Sequence, residues 1–428
     1  MPSSETQTSD SPTPPASAPT SAPAAALTVA VLALLTAVAP LAIDMYLPAF
    51  PQMATELGAG ASQIQLTLTA CLLGLALGQL FVGPLSDTTG RRRPLLVGSL
   101  ICVLAGIACA LAPTAELLAV ARFVQGLSGA VGVVLARAVV SDTARGPAAA
   151  KLLGVLMIIS VIAPVVAPLS GGAIIATLGW RAVFWVLAAL ALVMFLGVLA
   201  FVPESLPASA RTRGGIRTTL RGAGEALANR TYLGYLLTFC FSFAALFAYI
   251  AASPFVMQSV MGLSAGQYSL LFGLNALVIT ATSAVAAALA GRVAYRRMIM
   301  IGLTVGVVVA AGLLVAVVNG VPLVPTLVLF AVFQGSMGFI FANATTLALA
   351  ETGHNAGTGS AFLGFLQFLL AAAVAPLVGI MGEQTAVPMA LAMVVSIVLA
   401  VLAFAVLTRA QPAPAAGDGT TEPVEATG

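Results

Sequence analysis

Long apolar runs separated by short polar breaks make up most of this chain. Twelve runs follow one another, at about Ala26–Ala49, Gln63–Gly83, Pro94–Ala112, Glu116–Val140, Ala150–Leu178, Ala182–Val202, Thr231–Ser253, Gln267–Ala290, Met298–Val318, Pro322–Ala350, Gly357–Met381 and Ala386–Leu407. Each is long enough for a membrane-crossing helix, which needs roughly 20 apolar residues. None shows the strict alternation of a barrel strand. A segment in hydrocarbon must pair its own backbone groups, so the pattern predicts an all-α membrane protein with twelve transmembrane helices.

The polar breaks orient these helices. If the spans alternate, one side holds Arg91, Arg92, Arg93, Arg145, Lys151, Arg211, Arg213, Arg217, Arg221, Arg230, Arg292, Arg296, Arg297 and Arg409. The loops of the other side hold only Arg181, and Arg122 and Arg137 lie within the fourth segment. Positive loops face the cytoplasm, which predicts a multi-pass protein of the inner (cytoplasmic) membrane with both termini inside. One miscounted helix would scatter this pattern. The longest interior polar stretch, residues 203–230, reads as a cytoplasmic linker between a bundle of six helices at 26–202 and another at 231–408. That layout is common among secondary transporters. Residues 1–25 and 409–428, rich in Ser, Thr, Pro and Ala, read as disordered cytoplasmic tails. No Lys or Arg precedes the first run, so the start is a poor signal peptide.

Composition then removes whole classes of function. Hydrophobic residues are 60% of the chain and charged residues 7%, with a mean hydropathy of +1.08. Soluble domains carry about 25% charged residues. The net charge of +3 is spread over short loops, which excludes a nucleic-acid-binding face. Cys71, Cys102, Cys109 and Cys240 all lie in apolar runs without metal or redox spacing. His354 stands alone, and no Gly-rich nucleotide loop appears. The expectation is a non-enzymatic monomer in the lipid bilayer, without metal or cofactor.

Charge first clusters at Gly83-Pro84-Leu85-Ser86-Asp87-Thr88-Thr89-Gly90-Arg91-Arg92-Arg93-Pro94. It reads as a tight loop between two helices, with Gly83 and Gly90 permitting the turn. A topology anchor explains the arginines but not the spacing, which resembles the inner-loop signature of the major facilitator superfamily. Thr88 departs from it, because that position is often basic. The resemblance implies that Asp87 and Arg91, with Arg92 beside them and Asp142 as charge partner, help lock the inner ends of the two halves in the outward-facing state. Gly291-Arg292 with Arg296-Arg297 resembles a worn second copy.

In the fourth segment, Arg122-Phe123-Val124-Gln125-Gly126 resembles the superfamily's helix-four motif, which in proton-coupled members implies proton transfer. The alternative is an arginine snorkelling to the outer surface. Asp44 is the one acid in the first segment. Counting at 1.5 Å per residue puts Asp44 and Arg122 both about 8–9 Å below the outer surface, which allows an ion pair or shared water if the helices adjoin. The alternative is an Asp anchoring the helix end at its aqueous mouth. In the fifth segment, Gly154, Ala163, Ala167-Pro168 and Gly171-Gly172 form a seam of small residues. They resemble, with two glycines replaced by alanine, the helix-five signature of superfamily antiporters, which implies export.

Asp44-Met45-Tyr46-Leu47-Pro48, Gly179-Trp180-Arg181-Ala182-Val183-Phe184-Trp185, Ser253-Pro254-Phe255, Phe272-Gly273-Leu274-Asn275-Ala276 and Ala356-Gly357-Thr358-Gly359-Ser360-Ala361 are similar to the bicyclomycin/chloramphenicol-resistance group of drug:proton antiporters. The resemblance covers residues 26–408. It implies a major facilitator fold and efflux of a small amphipathic compound, driven by the proton gradient through Asp44 and Arg122. Export of an endogenous metabolite, or a facilitator or importer of the same fold, are the alternatives. Polar and aromatic side chains at mid-membrane depth, Tyr46, Gln125, Phe239, Tyr249, Asn275, Gln334, Asn343 and Gln367, are candidates for the substrate cavity. Each reads equally as an interhelical hydrogen bond or packing residue.

Overall fold

Fourteen helices, with no β-sheet among the described residues, build the protein. They are α1 (Ala22–Asp44), α2 (Phe50–Leu57), α3 (Ala61–Thr89), α4 (Arg92–Leu111), α5 (Ala115–Thr143), α6 (Gly146–Leu178), α7 (Trp180–Phe201), α8 (Gly215–Ala228), α9 (Arg230–Phe255), α10 (Ala265–Ala288), α11 (Tyr295–Val318), α12 (Leu323–Ala350), α13 (Ala356–Val374) and α14 (Val387–Leu407). The computed structural model describes residues 22–212, 215–353 and 356–408. Residues 1–21 of the tail expected at 1–25 and the whole tail expected at 409–428, together with Arg213, His354 and the Arg217 side chain, lie outside the described residues, and residues 22–25 open α1.

With α1 and α2 counted as one span, twelve helical stretches are long and apolar enough to cross a membrane. These are the twelve expected runs. They form two bundles of six, α1–α7 before residue 202 and α9–α14 after residue 229. Successive spans reverse direction, so Arg91, Arg145, Arg230 and Arg296 mark one end of the protein, called here the arginine-rich end. At the opposite end Arg181 pairs with Glu56 at 3.1 Å, and the Trp180 indole N–H donates to the same carboxylate at 2.8 Å.

One expectation needs correction. The charged stretch after Gly83 is not a loop: α3 continues through Thr89, and only Gly90 and Arg91 separate it from α4. The hydroxyls of Ser86, Thr88 and Thr89 donate back to the carbonyls of Gly83 and Leu85 at 2.7–2.8 Å, which lets polar residues complete a helix. Gly83 therefore sits inside a helix with open space beside it, and Gly90, at φ +94°, makes the turn alone. The stretch at 203–230, read as a linker, contains α8, whose Ala223 and Ala226 are buried and whose Gly222 lies against Thr358 of α13.

Small residues set how closely the spans approach. On α3, a Cβ at Gly74 would stand 2.2 Å from the Phe123 carbonyl, and one at Gly78 would stand 2.3 Å from the Ala130 side chain. From α5, a Cβ at Gly126 would stand 2.0 Å from the Cys71 carbonyl. The α3–α5 backbones are thus in contact, the usual means of joining helices where lipid offers no hydrophobic drive. Gly132 brings α5 against the Leu35 carbonyl of α1 in the same way.

Three spans lose α-helical geometry toward the end opposite the arginines. The first breaks at Met45 and re-forms through a tight turn at Leu47–Ala49. The seventh widens at Val256–Val260. The eleventh ends in a tight turn at Leu377–Gly379. Pro48, Pro254 and Pro376 lie at or beside these breaks, and proline supplies no backbone N–H. The carbonyl that Pro254 leaves free, on Ile250, accepts from Ser253 Oγ at 3.3 Å.

Two glycine substitutions will separate close approach from mere helix content. Gly126→Val will destabilise the detergent-solubilised protein by about 3 kcal/mol or more by driving α5 off α3. Gly83→Ala will be neutral or stabilising by up to about 1 kcal/mol. Fluorescence-detected thermal melts read both, and equal melting of the two variants would refute the packing argument.

Candidate functional site

Between the two bundles lies a cavity of about 520 Å³. Asp44, Gln79 and Arg137 line it from the first bundle, and Phe243, Gln334 and Phe368 from the second. Its lining extends to Arg137, Thr345 and Ser360, within two turns of the helix ends at the arginine-rich end. Toward the opposite end it stops at the level of Asp44 and Ile250. Beyond that level the bundles touch. Gln65 Nε2 donates to the Ala251 carbonyl at 3.0 Å, Gln258 Nε2 to the Pro48 carbonyl at 3.0 Å and Ser62 Oγ to the Pro376 carbonyl at 3.2 Å. The rings of Phe50 and Phe255 meet at 5.9 Å. The cavity is therefore closed at that end and opens toward the arginines.

One wall is built from phenylalanine. Phe239, Phe243 and Phe247 recur every fourth residue on one face of α9, with Phe341 from α12 and Phe368 from α13 packed around Phe243. Centroid distances of 4.8–6.0 Å from Phe243 give a continuous aromatic surface. A cavity of this size, largely apolar with a few polar groups, suits a small organic molecule.

Asp44 and Arg122 occupy different compartments. Asp44 is the last residue of α1, where the span breaks, and it lines the cavity. Its Oδ1 has no hydrogen-bond partner, and no cation lies within ion-pair distance among the described residues. Arg122 is fully enclosed. Its Nη1 donates to Gln125 Oε1 at 2.6 Å, and its guanidinium carbon lies 4.3 Å from the Tyr46 ring centroid and 5.7 Å from that of Phe184. The ion pair that equal depth allowed is not formed, because Arg122 is turned onto the Tyr46 ring. Arg122 does not snorkel either. A desolvated cation on an aromatic face is stabilised by about 2 kcal/mol, and Tyr46 is itself held by Thr67 at 3.3 Å.

Of the eight expected cavity residues, Phe239, Gln334 and Gln367 line the cavity. The other five stand outside its wall. Tyr46 and Gln125 serve the Arg122 compartment. Asn275 Nδ2 donates to the Tyr249 hydroxyl at 2.8 Å, so these two satisfy each other in the second bundle. Asn343 donates to the Phe339 carbonyl of its own helix at 2.7 Å. Arg137 and the ring cluster about Phe243 were not singled out from the sequence, although the spacing of four along α9 was a readable signal.

The seam on α6 makes tight contacts. A Cβ on Gly171 would stand 1.9 Å from the Met45 carbonyl, and one on Gly172 would stand 2.2 Å from Ser269 Oγ of α10. Ala163, Ala167 and Pro168 are buried, whereas Gly154 faces open space. Gly171 thus holds α6 against the break that follows Asp44.

At the arginine-rich end the charged motif closes on itself. Arg91 Nη1 meets Asp87 Oδ1 at 2.6 Å and Ser86 Oγ at 2.5 Å, and Arg91 Nε meets Asp142 Oδ2 at 3.0 Å. Burial works against the Arg91 charge, but the bonds to Asp142 and Asp87 outweigh it and raise its pKa above the ordinary value. Glu204, from the segment after α7, accepts the Arg91 backbone N–H at 2.8 Å and that of Leu206 at 3.0 Å. Partial burial pushes the Glu204 carboxyl up, but these N–H groups, that of Arg92 and the Arg211 charge together hold it below its ordinary 4.5. Arg92 also donates to the Leu199 carbonyl at 2.9 Å. A Cβ on Gly90 would stand 2.3 Å from Glu204 Oε2, so a side chain there would push the Glu204 carboxylate aside. Among the described residues every partner in this cluster belongs to the first bundle or to residues 202–212. It makes no tie to the second bundle, in keeping with a cavity open at this end. In the second bundle Arg296 donates to Thr408 Oγ1 at 2.7 Å and lies 4.5 Å from the Phe404 ring centroid.

The family model described as Major Facilitator Superfamily matches residues 32–376. The chain is 40% identical over 383 residues to the Uncharacterized MFS-type transporter YdgK of Bacillus subtilis, covering 89% of this chain and 94% of that protein. It is 29% identical over 380 residues to the Bicyclomycin resistance protein homolog of Haemophilus influenzae, covering 89% and 96%. It is also 31% identical over 237 residues to Multidrug resistance protein MdtL of Escherichia coli, covering 55% and 60%. Among solved structures, a bacterial homolog to the human lysosomal transporter Spinster superposes with a TM-score of 0.69 at 16% identity, covering 90% of this chain and 96% of that one. A D-xylose-proton symporter gives 0.68 at 15%, covering 89% and 97%. At these identities the likeness shows the fold.

The Glu204 contact gives a pH prediction with a definite sign. Its carboxyl lies lower in the folded protein than its ordinary 4.5, so its contribution is full above that value and is lost as pH falls through the folded-state pKa. Glu204→Gln will lower the melting temperature in detergent at pH 7, and the gap to wild type will shrink as pH is lowered through the folded-state pKa, which lies below 4.5. A gap that does not shrink at all as the pH is lowered below 4.5 would mean the effect is not ionic.

Proposed function

The chain belongs to the major facilitator superfamily, and on that footing we propose that it is a proton-coupled exporter of a small amphipathic compound, working by alternating access. The carrying observation is the cavity, open at one end, with the unpaired carboxylate of Asp44 in its wall beside a helix break. The positive-inside rule puts the arginine-rich end in the cytoplasm, so this conformation faces inward. A substrate enters from the cytoplasm, or from the adjoining leaflet, and lies against the phenylalanine wall. A buried carboxylate without a cation is costly to keep charged, which links its proton to what else occupies the cavity. Proton binding at Asp44 is then coupled to substrate binding in the cavity as the bundles rock about their contact. Arg122, enclosed behind Tyr46, acts on this site from behind rather than by pairing with Asp44. The names of two relatives, a bicyclomycin resistance protein homolog and a multidrug resistance protein, support drug-like cargo and export.

In proteoliposomes under an imposed pH gradient, wild type will move substrate against the proton flow. Asp44→Asn will lose gradient-driven flux by at least about tenfold while retaining gradient-free exchange. Undiminished proton-driven flux in the variant would remove Asp44 from the mechanism, and flux running with the protons would assign import instead.

A further inference from the structure

Among the described residues, the charged side chains lining the cavity are Asp44 and Arg137. Arg137 lies fifteen residues beyond Arg122 on α5, about 22 Å further along the helix. The two arginines therefore belong to different levels of the protein, and Arg137 stands near the cavity mouth while Asp44 stands at its closed end. Most other arginines here are engaged: Arg91 with Asp87 and Asp142, Arg122 with Gln125 and Tyr46, Arg181 with Glu56, Arg296 with Thr408. Arg137 has no hydrogen bond or ion pair to any described residue. Its placement differs from that of a topology anchor, because Val133, one turn deeper on the same face of α5, lines the cavity with it.

An arginine within a span faces a partner or a wet cavity, and its planar fork matches a carboxylate or phosphate. Among the described residues the cavity supplies no such partner near its mouth. The aromatic wall at Phe243, Phe341 and Phe368 lies on the opposite bundle and accommodates a flat apolar body. We propose that Arg137 is the seat for an anionic group, so that this transporter selects amphipathic organic anions, with the acid group on Arg137 and an aromatic or apolar body against the phenylalanines. The inference rests on the transport reading above and goes further, by assigning the sign of the substrate's charge and the residue that reads it.

Equilibrium binding to the purified full chain in detergent tests this without any proton gradient. The probes are pyrenebutyrate and its neutral amide, alike in shape and different in charge. Wild type will bind the carboxylate at least about tenfold more tightly than the amide. Arg137→Gln will lose about tenfold for the carboxylate and less than about twofold for the amide, and Arg137→Lys will recover part of the loss. Equal weakening of both probes, or a wild-type preference for the amide, overturns the proposal, and the second of these stands even if a variant fails to fold. Added phosphatidylglycerol separates the two sources of such an anion. If it displaces pyrenebutyrate at equal concentration, the seat belongs to a lipid headgroup and the substrate assignment falls; if it does not, the assignment is supported. Intact anion preference without proton-driven flux would sink the coupling mechanism alone, and proton-driven flux without anion preference would sink the anion seat alone.

Discussion

No peptide group can be left unpaired in hydrocarbon, and the structure follows from how the chain meets that constraint. Over most of its length the answer is uninterrupted helix. The exceptions, at Met45–Ala49, Val256–Val260 and Leu377–Gly379, cluster at one end, where the first is wholly buried and the other two are buried in part. Tyr46, Leu47, Ala49 and Val256 are buried there, and side chains from neighbouring helices reach the exposed carbonyls. Irregular backbone inside a membrane is tolerated only under such cover. The first break immediately follows Asp44, so the same local irregularity ends α1 and leaves a carboxylate at the cavity's closed end.

Packing of small residues decides what each helix presents. Contacts at Gly74, Gly78 and Gly126 fix the rotation of α5 against α3, and Gly132 fixes it against α1. That single rotation turns Arg122 inward onto Tyr46 and turns Arg137 toward the cavity. Two arginines on one helix thereby acquire unlike surroundings.

This explains what was legible in the sequence. Span number and side asymmetry depend on local composition, and both were readable. So was the Asp87–Arg91 pair, four residues apart on the chain, with Asp142 as its partner. Cavity lining was not, because it depends on helix rotation. Tyr249 and Asn275, read as cavity candidates or as an interhelical hydrogen bond, form the hydrogen bond. Asn343 is spent on its own helix. The helical course of Ser86–Thr89 was hidden by a charged, glycine-bounded motif that looks like a loop. Glu204 could not be assigned at all, since it caps Arg91 across 113 residues of sequence.

The two ends of the cavity differ in what crosses between the bundles. At the closed end they are joined by hydrogen bonds from Ser62, Gln65 and Gln258 to backbone carbonyls, all uncharged. At the open end guanidinium and carboxylate pair with each other inside the first bundle and leave the second bundle untied. Mobile ions screen exposed charges within about 8 Å at physiological salt and leave uncharged hydrogen bonds almost untouched. The contacts that join the two bundles are therefore of the kind that added salt does not loosen.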